Sequence, residues 1–370
     1  MTTTDAAGTA DATVSPMSDV AANAAVVLCC GSGGVGKTTT AAVIALEAAR
    51  LGRRAVVVTI DPARRLADAL GLDGLTNHPT EIDGPWPGTL AALMLDSEGT
   101  FNGLVAKYAG SEEQADKILT NRFYRNIVGA LSGTQEYMAT EKLYELSNEG
   151  QFDLIVVDTP PTRNALDFLD APGRISRFLD HRLYRVVTAP TRGLVKAVNL
   201  AAQPFLRGVA KVVGGEVIAD AIAFFAAFEG MEEGFKQRAK LVDVLLADAG
   251  TAFILVASPR RDTVIEAAFF ADKLKEMGLG VRAVVVNRIY PQFAASGSVP
   301  DMTLSGDPSA LDDQLRNLAE LRAIATAERS HLAPLAERVT PAPLIEVPLL
   351  PFEVHDLDTL AALAGYVFER

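Results

Sequence analysis

Apolar residues recur along this chain in two modes: short, predominantly apolar runs, and longer stretches in which they return every three or four positions. The short runs lie at residues 24–30, 55–60, 89–95, 152–157, 251–257, 281–287 and 343–347. Runs of that length without regular polar alternation predict parallel strands buried on both faces. Between them, residues 38–51 are Ala-rich and helical in period, with Gly52 as the stop. Residues 100–149 carry helical patterns with no strand candidate, residues 171–249 form a second long helical stretch, and residues 307–338 read as a charged helix. Strands alternating with helices imply an α/β fold built on an open, mostly parallel, doubly wound sheet. The two all-helical stretches, at about 97–150 and 171–249, read as insertions that meet as one helical subdomain within a single unit spanning 24–370. No internal repeat is present, so one such unit is expected rather than a tandem pair. Residues 1–23 are rich in Thr, Ala, Asp and Ser, with no Lys, Arg or apolar core. They read as a disordered tail rather than a secretory signal.

Composition narrows the function. At 370 residues the chain can bury a large core. Its net charge of −12 counts against a nucleic-acid partner, which selects basic surfaces. No apolar run approaches the roughly 18–20 residues of a membrane span, so no transmembrane segment is expected. The only cysteines, Cys29 and Cys30, are adjacent within the first predicted strand and therefore point to opposite faces. They read as small buried hydrophobes rather than a metal pair or a disulfide. A reducing, cytoplasmic setting fits this usage.

The chemistry starts where the first strand ends. Residues 31–40 read GSGGVGKTTT, placing Gly31, Gly36, Lys37 and Thr38 in the spacing G-x-x-x-x-G-K-[ST] between a strand and a helix. In such a loop the N–H groups of Gly33, Gly34, Val35, Gly36, Lys37, Thr38 and Thr39 converge on nucleotide phosphates, helped by the helix dipole. Lys37 supplies a charge to the β/γ-phosphates and Thr38 a hydroxyl ligand for Mg²⁺. Asp61 and Asp158 each follow a strand, where a carboxylate can hold Mg²⁺, partly through water, or orient an attacking water. Either could instead cap the following helix. Asn287, past another strand, is an adenine-edge partner or a turn residue. The phosphate loop, Asp61, Asp158 and Asn287 all fall at carboxyl ends of strands, where open α/β sheets bind ligands.

Six stretches in order, GSGGVGKTTT, TIDPARRLADALGL, LSGTQEYMATEKL, VVDTPPTRNALDFLDAP, VVVNRIYP and VPLLPFEVHDLDTL, resemble one family over about residues 24–365. It is the family of the arsenical pump-driving ATPase and the ATPase for guided entry of tail-anchored membrane proteins, of the deviant Walker A class. The resemblance implies a P-loop fold, ATP and Mg²⁺ as ligands, and a dimeric switch. It gives Lys37 and Thr38 the phosphate and Mg²⁺, Asp61 the hydrolytic water in a first switch, and Asp158 a sensing role in a second. It assigns adenine to Asn287, with a loop from Pro348 to Pro351 closing near the base.

Three departures qualify it. The family's loop carries a lysine, reaching across the dimer to the partner's nucleotide, where this chain has Ser32. Such a trans cation is worth roughly 10³-fold or more in rate. Arg64 and Arg65, where the family often has His-Asn, are either a replacement charge or solvated helix residues. The Cys-x-x-Cys zinc clamp of the client-targeting branch is missing, so zinc is not expected, and no iron–sulfur cluster is expected because no bridging cysteines lie around the second switch. Finally, Met231 is the only methionine in 171–249, where a Met-rich client surface would lie. The apolar face of Val217, Ile218, Ala221, Ile222, Phe224, Phe225 and Phe228 either binds a hydrophobic client or packs within the protein.

The resulting expectation is a dimeric ATPase that couples nucleotide state to holding or releasing a protein partner. The first alternative is a nucleotide-binding regulatory subunit, slow alone because of Ser32 and paired with a paralogous ATPase in a heterodimer rather than a homodimer. The second is a MinD/ParA-like positioning ATPase, which would require a basic or amphipathic surface helix.

Overall fold

A computed structural model of the chain describes residues 15–61, 65–128, 134–180, 215–292 and 308–368. Its strands are β1 (Val26–Gly31), β2 (Arg54–Thr59), β3 (Thr80–Ile82), β4 (Thr89–Met94), β5 (Leu154–Asp158), β6 (Thr251–Ala257), β7 (Val281–Ile289) and β8 (Leu344–Pro348). They form one eight-stranded sheet in the order β3-β4-β2-β5-β1-β6-β7-β8. Every pairing is parallel except β3 with β4. The sequence pattern misses β3 because three residues between Pro79 and Asp83 are too short to show a period.

Strand periodicity divides the core. Val26, Leu28 and Cys30 of β1 face one helical layer; Val27 and Cys29 face the other. Both cysteines are buried and unpaired. The second layer contains α1 (Pro16–Asn23), α2 (Lys37–Arg50), α3 (Arg65–Leu70) and, near the end of the chain, α13 (Leu357–Val367). The alanines of α2 make this arrangement feasible: Ala41, Ala42, Ala45, Ala48 and Ala49 are all fully buried. Small side chains let the helix be covered by the sheet on one face and by α1, α3 and α13 on others.

The first layer holds the helical stretches. These are α4 (Ser97–Tyr108), α5 (Glu112–Leu119), α6 (Arg122–Val128), α7 (Thr134–Glu149), α8 (Thr162–Asp180), α9 (Gly215–Ala227) and α10 (Glu232–Leu246). Beside them lie α11 (Arg261–Glu276) and the long α12 (Pro308–Val339). Helices α7, α8 and α10 pack on one another, and α9 packs on α5 and α6. Phe224 and Phe225 pack against Phe123, Phe228 stacks near Phe235, and Phe224 lies parallel to Tyr124. The phenylalanines of the α9 face thus pack within the helical layer; Val217 remains exposed. The Ile218 side chain lies outside the described residues.

The tail expected over residues 1–23 is corrected by the structure from Pro16 onward. Met17, Val20 and Ala21 of α1 are buried against α2, and the Arg53 guanidinium donates to the Ala21 and Ala24 carbonyls at 2.7 and 2.6 Å. Composition concealed the helix, because three apolar residues among Asp, Ser and Asn suffice for so short an element. Met17→Ala is expected to lower unfolding free energy by roughly 2–5 kcal/mol in urea titration. A change within about 0.5 kcal/mol would mean a surface tail after all.

Candidate functional site

The sheet order sets β5 between β2 and β1, so three loops leave adjacent carboxyl ends and converge. Gly31 ends β1 where its backbone crosses β6; a Cβ there would lie 2.0 Å from the Val256 carbonyl oxygen. Gly36 caps α2 in a left-handed conformation (φ 100°), and a Cβ there would lie 2.3 Å from Asn287 Nδ2. Both positions therefore require glycine. Gly33 and Gly34 are exposed, Val35 is buried, and Thr38 and Thr39 are half-buried at the start of α2. Lys37 folds back over the loop and its Nζ donates to the Ser32 carbonyl at 2.9 Å. Burial pulls its ammonium pKa down, opposed first by Asp158.

Asp158 is the focus of the cluster. Its side chain is buried, and Oδ2 accepts hydrogen bonds from Thr38 Oγ1 at 2.7 Å and Thr59 Oγ1 at 3.0 Å. Oδ1 is buried with no donor among the described residues. Burial raises the carboxyl pKa; the Thr38 hydrogen bond, the Lys37 charge and the Thr59 hydrogen bond act against it, and Asp61 adds to it. Asp61 lies two residues beyond Thr59, the end of β2, is partly exposed, and forms an ion pair with Arg65 at 3.6 Å. Its N–H donates to Thr59 Oγ1 at 3.3 Å. The preceding carbonyl, that of Ile60, accepts from Gln135 Nε2 at the start of α7 at 3.0 Å.

Asn287 lies near the end of β7, but its Nδ2 donates to the Val35 carbonyl at 3.0 Å, so this amide nitrogen is used to brace the phosphate loop. Pro348 ends β8 beside Ile289, and Pro351 is exposed three residues further on. Ser32 is buried, and its hydroxyl donates to Glu266 Oε2 of α11 at 2.5 Å. Arg64 lies outside the described residues, while Arg65 is engaged in cis by Asp61.

Sequence reading did not single out Thr59, Gln135 or Glu266. Thr59 stands two residues before Asp61 and Gln135 within the TQEYM stretch, so both had a positional signal. Glu266 had none, because its contact spans 234 residues. Among the described residues there is no group of three or more His, Cys, Asp or Glu side chains arranged to hold a metal. No described helix is long and apolar enough to cross a membrane.

A glycine loop between a buried strand and a helix, with an acidic residue on the neighbouring strand, defines a P-loop nucleoside triphosphatase. The family model for anion-transporting ATPases matches residues 24–301, and the chain belongs to that family. It is similar to the Aquifex aeolicus (strain VF5) protein named "Putative arsenical pump-driving ATPase 1", at 23% identity over 93% of this chain and 78% of the relative. It is also similar to ATPase ARSA2 of Chlamydomonas reinhardtii, at 26% identity over 90% of this chain and 81% of the relative. A third relative, the ATPase ASNA1 homolog of Dictyostelium discoideum, is 26% identical over 71% of each chain. The protein is accordingly an ATPase.

The raised pKa of Asp158 carries a sign. Stability from the protonated carboxyl is present below its unfolded pKa and lost as pH rises through the folded one, so the ionised group weighs on the unliganded fold at neutral pH. Asp158→Asn is therefore expected to raise the melting temperature of the nucleotide-free protein at pH 7, by about 2 °C or more. A lowered melting temperature would show that the charge is better compensated than its surroundings indicate.

Proposed function

We propose that this ATPase is a dimeric, nucleotide-operated switch whose helical layer holds or releases a protein partner. The observation that carries the proposal is the Asp158 carboxylate, shared through Oδ2 between the phosphate-loop helix and the strand leading to Asp61. In this reading the N–H groups from Gly33 to Thr39 receive the phosphates, and Lys37 leaves the Ser32 carbonyl to meet the β- and γ-oxygens. Asp61 orients the attacking water, and the Pro348–Pro351 loop lies beside the base. Asn287, its Nδ2 engaged by Val35, offers Oδ1 to an adenine amino group.

The residues fit a hard divalent cation. The Thr38 hydroxyl and the donor-free Oδ1 of Asp158 are oxygen ligands, and an ion carried largely by phosphates and water needs few from the protein. When bound, Mg²⁺ neutralises charge on the β- and γ-oxygens. Capture of a cation also relieves the buried charge of Asp158, which links ligand binding to the position of β5 and its neighbours.

The helical layer is reached through Gln135, which grips the carbonyl next to Asp61 and opens α7. Exposed apolar residues on that layer, Val217, Leu241 and Val244, support a partner surface. Nucleotide-dependent association would place the protein among cytoplasmic switch ATPases.

A second reading, a heterodimer with a paralogue that supplies the trans lysine, is favoured by Ser32. Its hydroxyl is held by Glu266, so this chain presents a carboxylate where the resemblance calls for an ammonium. Hydrolysis by the chain alone is then slow.

Three measurements test these proposals. Lys37→Ala should lower kcat/KM by roughly 10²-fold or more, the scale of removing one preorganised charge-stabilising group. Sedimentation of the protein should show a larger species with a non-hydrolysable ATP analogue than with ADP; an identical mass in both states rejects the switch. Ser32→Lys alone should leave hydrolysis nearly unchanged because Glu266 pairs with the new ammonium in cis. Ser32→Lys with Glu266→Gln should raise it toward the roughly 10³-fold that a trans cation supplies. Equal rates for both variants would remove Glu266 from the account.

A further inference from the structure

Thr59 ends β2 as the register partner of Asp158 and is almost fully buried. Its backbone is fixed from both sides: the Leu95 N–H donates to its carbonyl at 2.9 Å, and the Ile60 N–H donates to the Asp158 carbonyl at 3.4 Å. The hydroxyl is its remaining rotor. A threonine hydroxyl has one proton to give and lone pairs with which to accept. Here the proton goes to Asp158 Oδ2 and a lone pair receives the Asp61 N–H, so the two contacts are complementary rather than competing. The Asp61 side chain is partly exposed and forms an ion pair with Arg65, while its peptide N–H is the group that reaches Thr59.

We propose that Thr59 is a positioning residue whose hydroxyl couples Asp158 to Asp61, so that the carboxylate on the cation side and the carboxylate on the water side take their working positions together. The inference rests on the roles given above to those two aspartates. A displacement of Asp158 Oδ2 turns the Thr59 hydroxyl, and the peptide that starts Asp61 follows it. Thr38 cannot do this, because it lies at the start of α2, away from the Asp61 peptide, and its proton is used on the same oxygen. Valine matches the shape of threonine and breaks both contacts; serine keeps both and loses only the methyl group.

The test compares Thr59→Val, Thr59→Ser, Asp61→Asn and the Thr59→Val/Asp61→Asn pair in the full chain. Mg²⁺ is titrated onto protein carrying a fluorescent non-hydrolysable ATP analogue, analogue affinity is measured in excess EDTA, and ATP turnover is followed. Thr59→Val should keep its EDTA affinity, which also shows an intact fold, but lose about ten- to hundredfold in apparent Mg²⁺ affinity and in kcat, the size of one hydrogen bond to a charged group. Thr59→Ser should recover most of both. The pair should turn over no slower than Asp61→Asn alone, because a residue acting through Asp61 has nothing left to position. Unchanged Mg²⁺ affinity and kcat in Thr59→Val, beside an inactive Asp61→Asn, overturns the coupling and leaves the site reading intact. Equal losses in the valine and serine variants also overturn it, since the hydroxyl would then be immaterial. A fully active Asp61→Asn removes the site reading, and the coupling with it.

Discussion

The structure turns on one buried carboxylate. Asp158 stands at the end of a central strand, and each neighbouring strand sends a hydroxyl-bearing segment to its Oδ2. An ionised group in such a place is costly unless it is hydrogen-bonded or neutralised. The two threonines satisfy one oxygen, and the other has no donor among the described residues. That imbalance is local and specific, and it is the kind of unresolved demand that folds retain at working sites. Through Asp158 the helix after the phosphate loop and the strand leading to Asp61 are tied to the same atom.

The helical layer extends from this point. Gln135 holds the Ile60 carbonyl, and less than two turns further along α7, Glu141 is buried with Tyr137 and Arg238. The Tyr137 hydroxyl and Arg238 Nε each donate to Glu141 at 2.6 Å, while Arg238 covers the Tyr144 ring. Burial pushes the Glu141 carboxyl pKa upward, against its hydrogen bonds from Tyr137 and the charge of Arg238. Removing one partner of a buried pair like this costs about 3–5 kcal/mol, so α7 and α10 behave as one body. The segment leading to Asp61 therefore abuts a stiff pair of helices, not a loose bundle.

Much of the fold was legible because its strands are predominantly apolar and its loops carry diagnostic residues. Seven of the strands answer to predominantly apolar runs in the sequence; Gly31, Gly36, Lys37 and Thr38 follow from the loop's spacing, and Asp158 from its place at the end of an apolar strand. Two elements escaped for want of length: β3 has three residues, and α1 buries only Met17, Val20 and Ala21 from a polar-looking segment. The contacts that give the site its character were hidden for a different reason. Ser32 with Glu266, and Asn287 with Val35, join residues more than 230 positions apart, and no local pattern records such a pairing. Ser32 could be noticed as a departure from the family's lysine, yet only the fold shows the acidic group that occupies its surroundings. Thr59 stands two residues before Asp61 without a signal of its own, because an apolar strand ending in threonine has an ordinary propensity explanation.

The most direct test of the account is ATP affinity with and without Mg²⁺, measured for the unaltered protein and for Asp158→Asn. If Asp158 is the joint between cation and fold, Mg²⁺ tightens ATP binding in the unaltered protein, and the substitution abolishes that increment while EDTA affinity stays the same. An increment of equal size in both proteins would contradict the central claim.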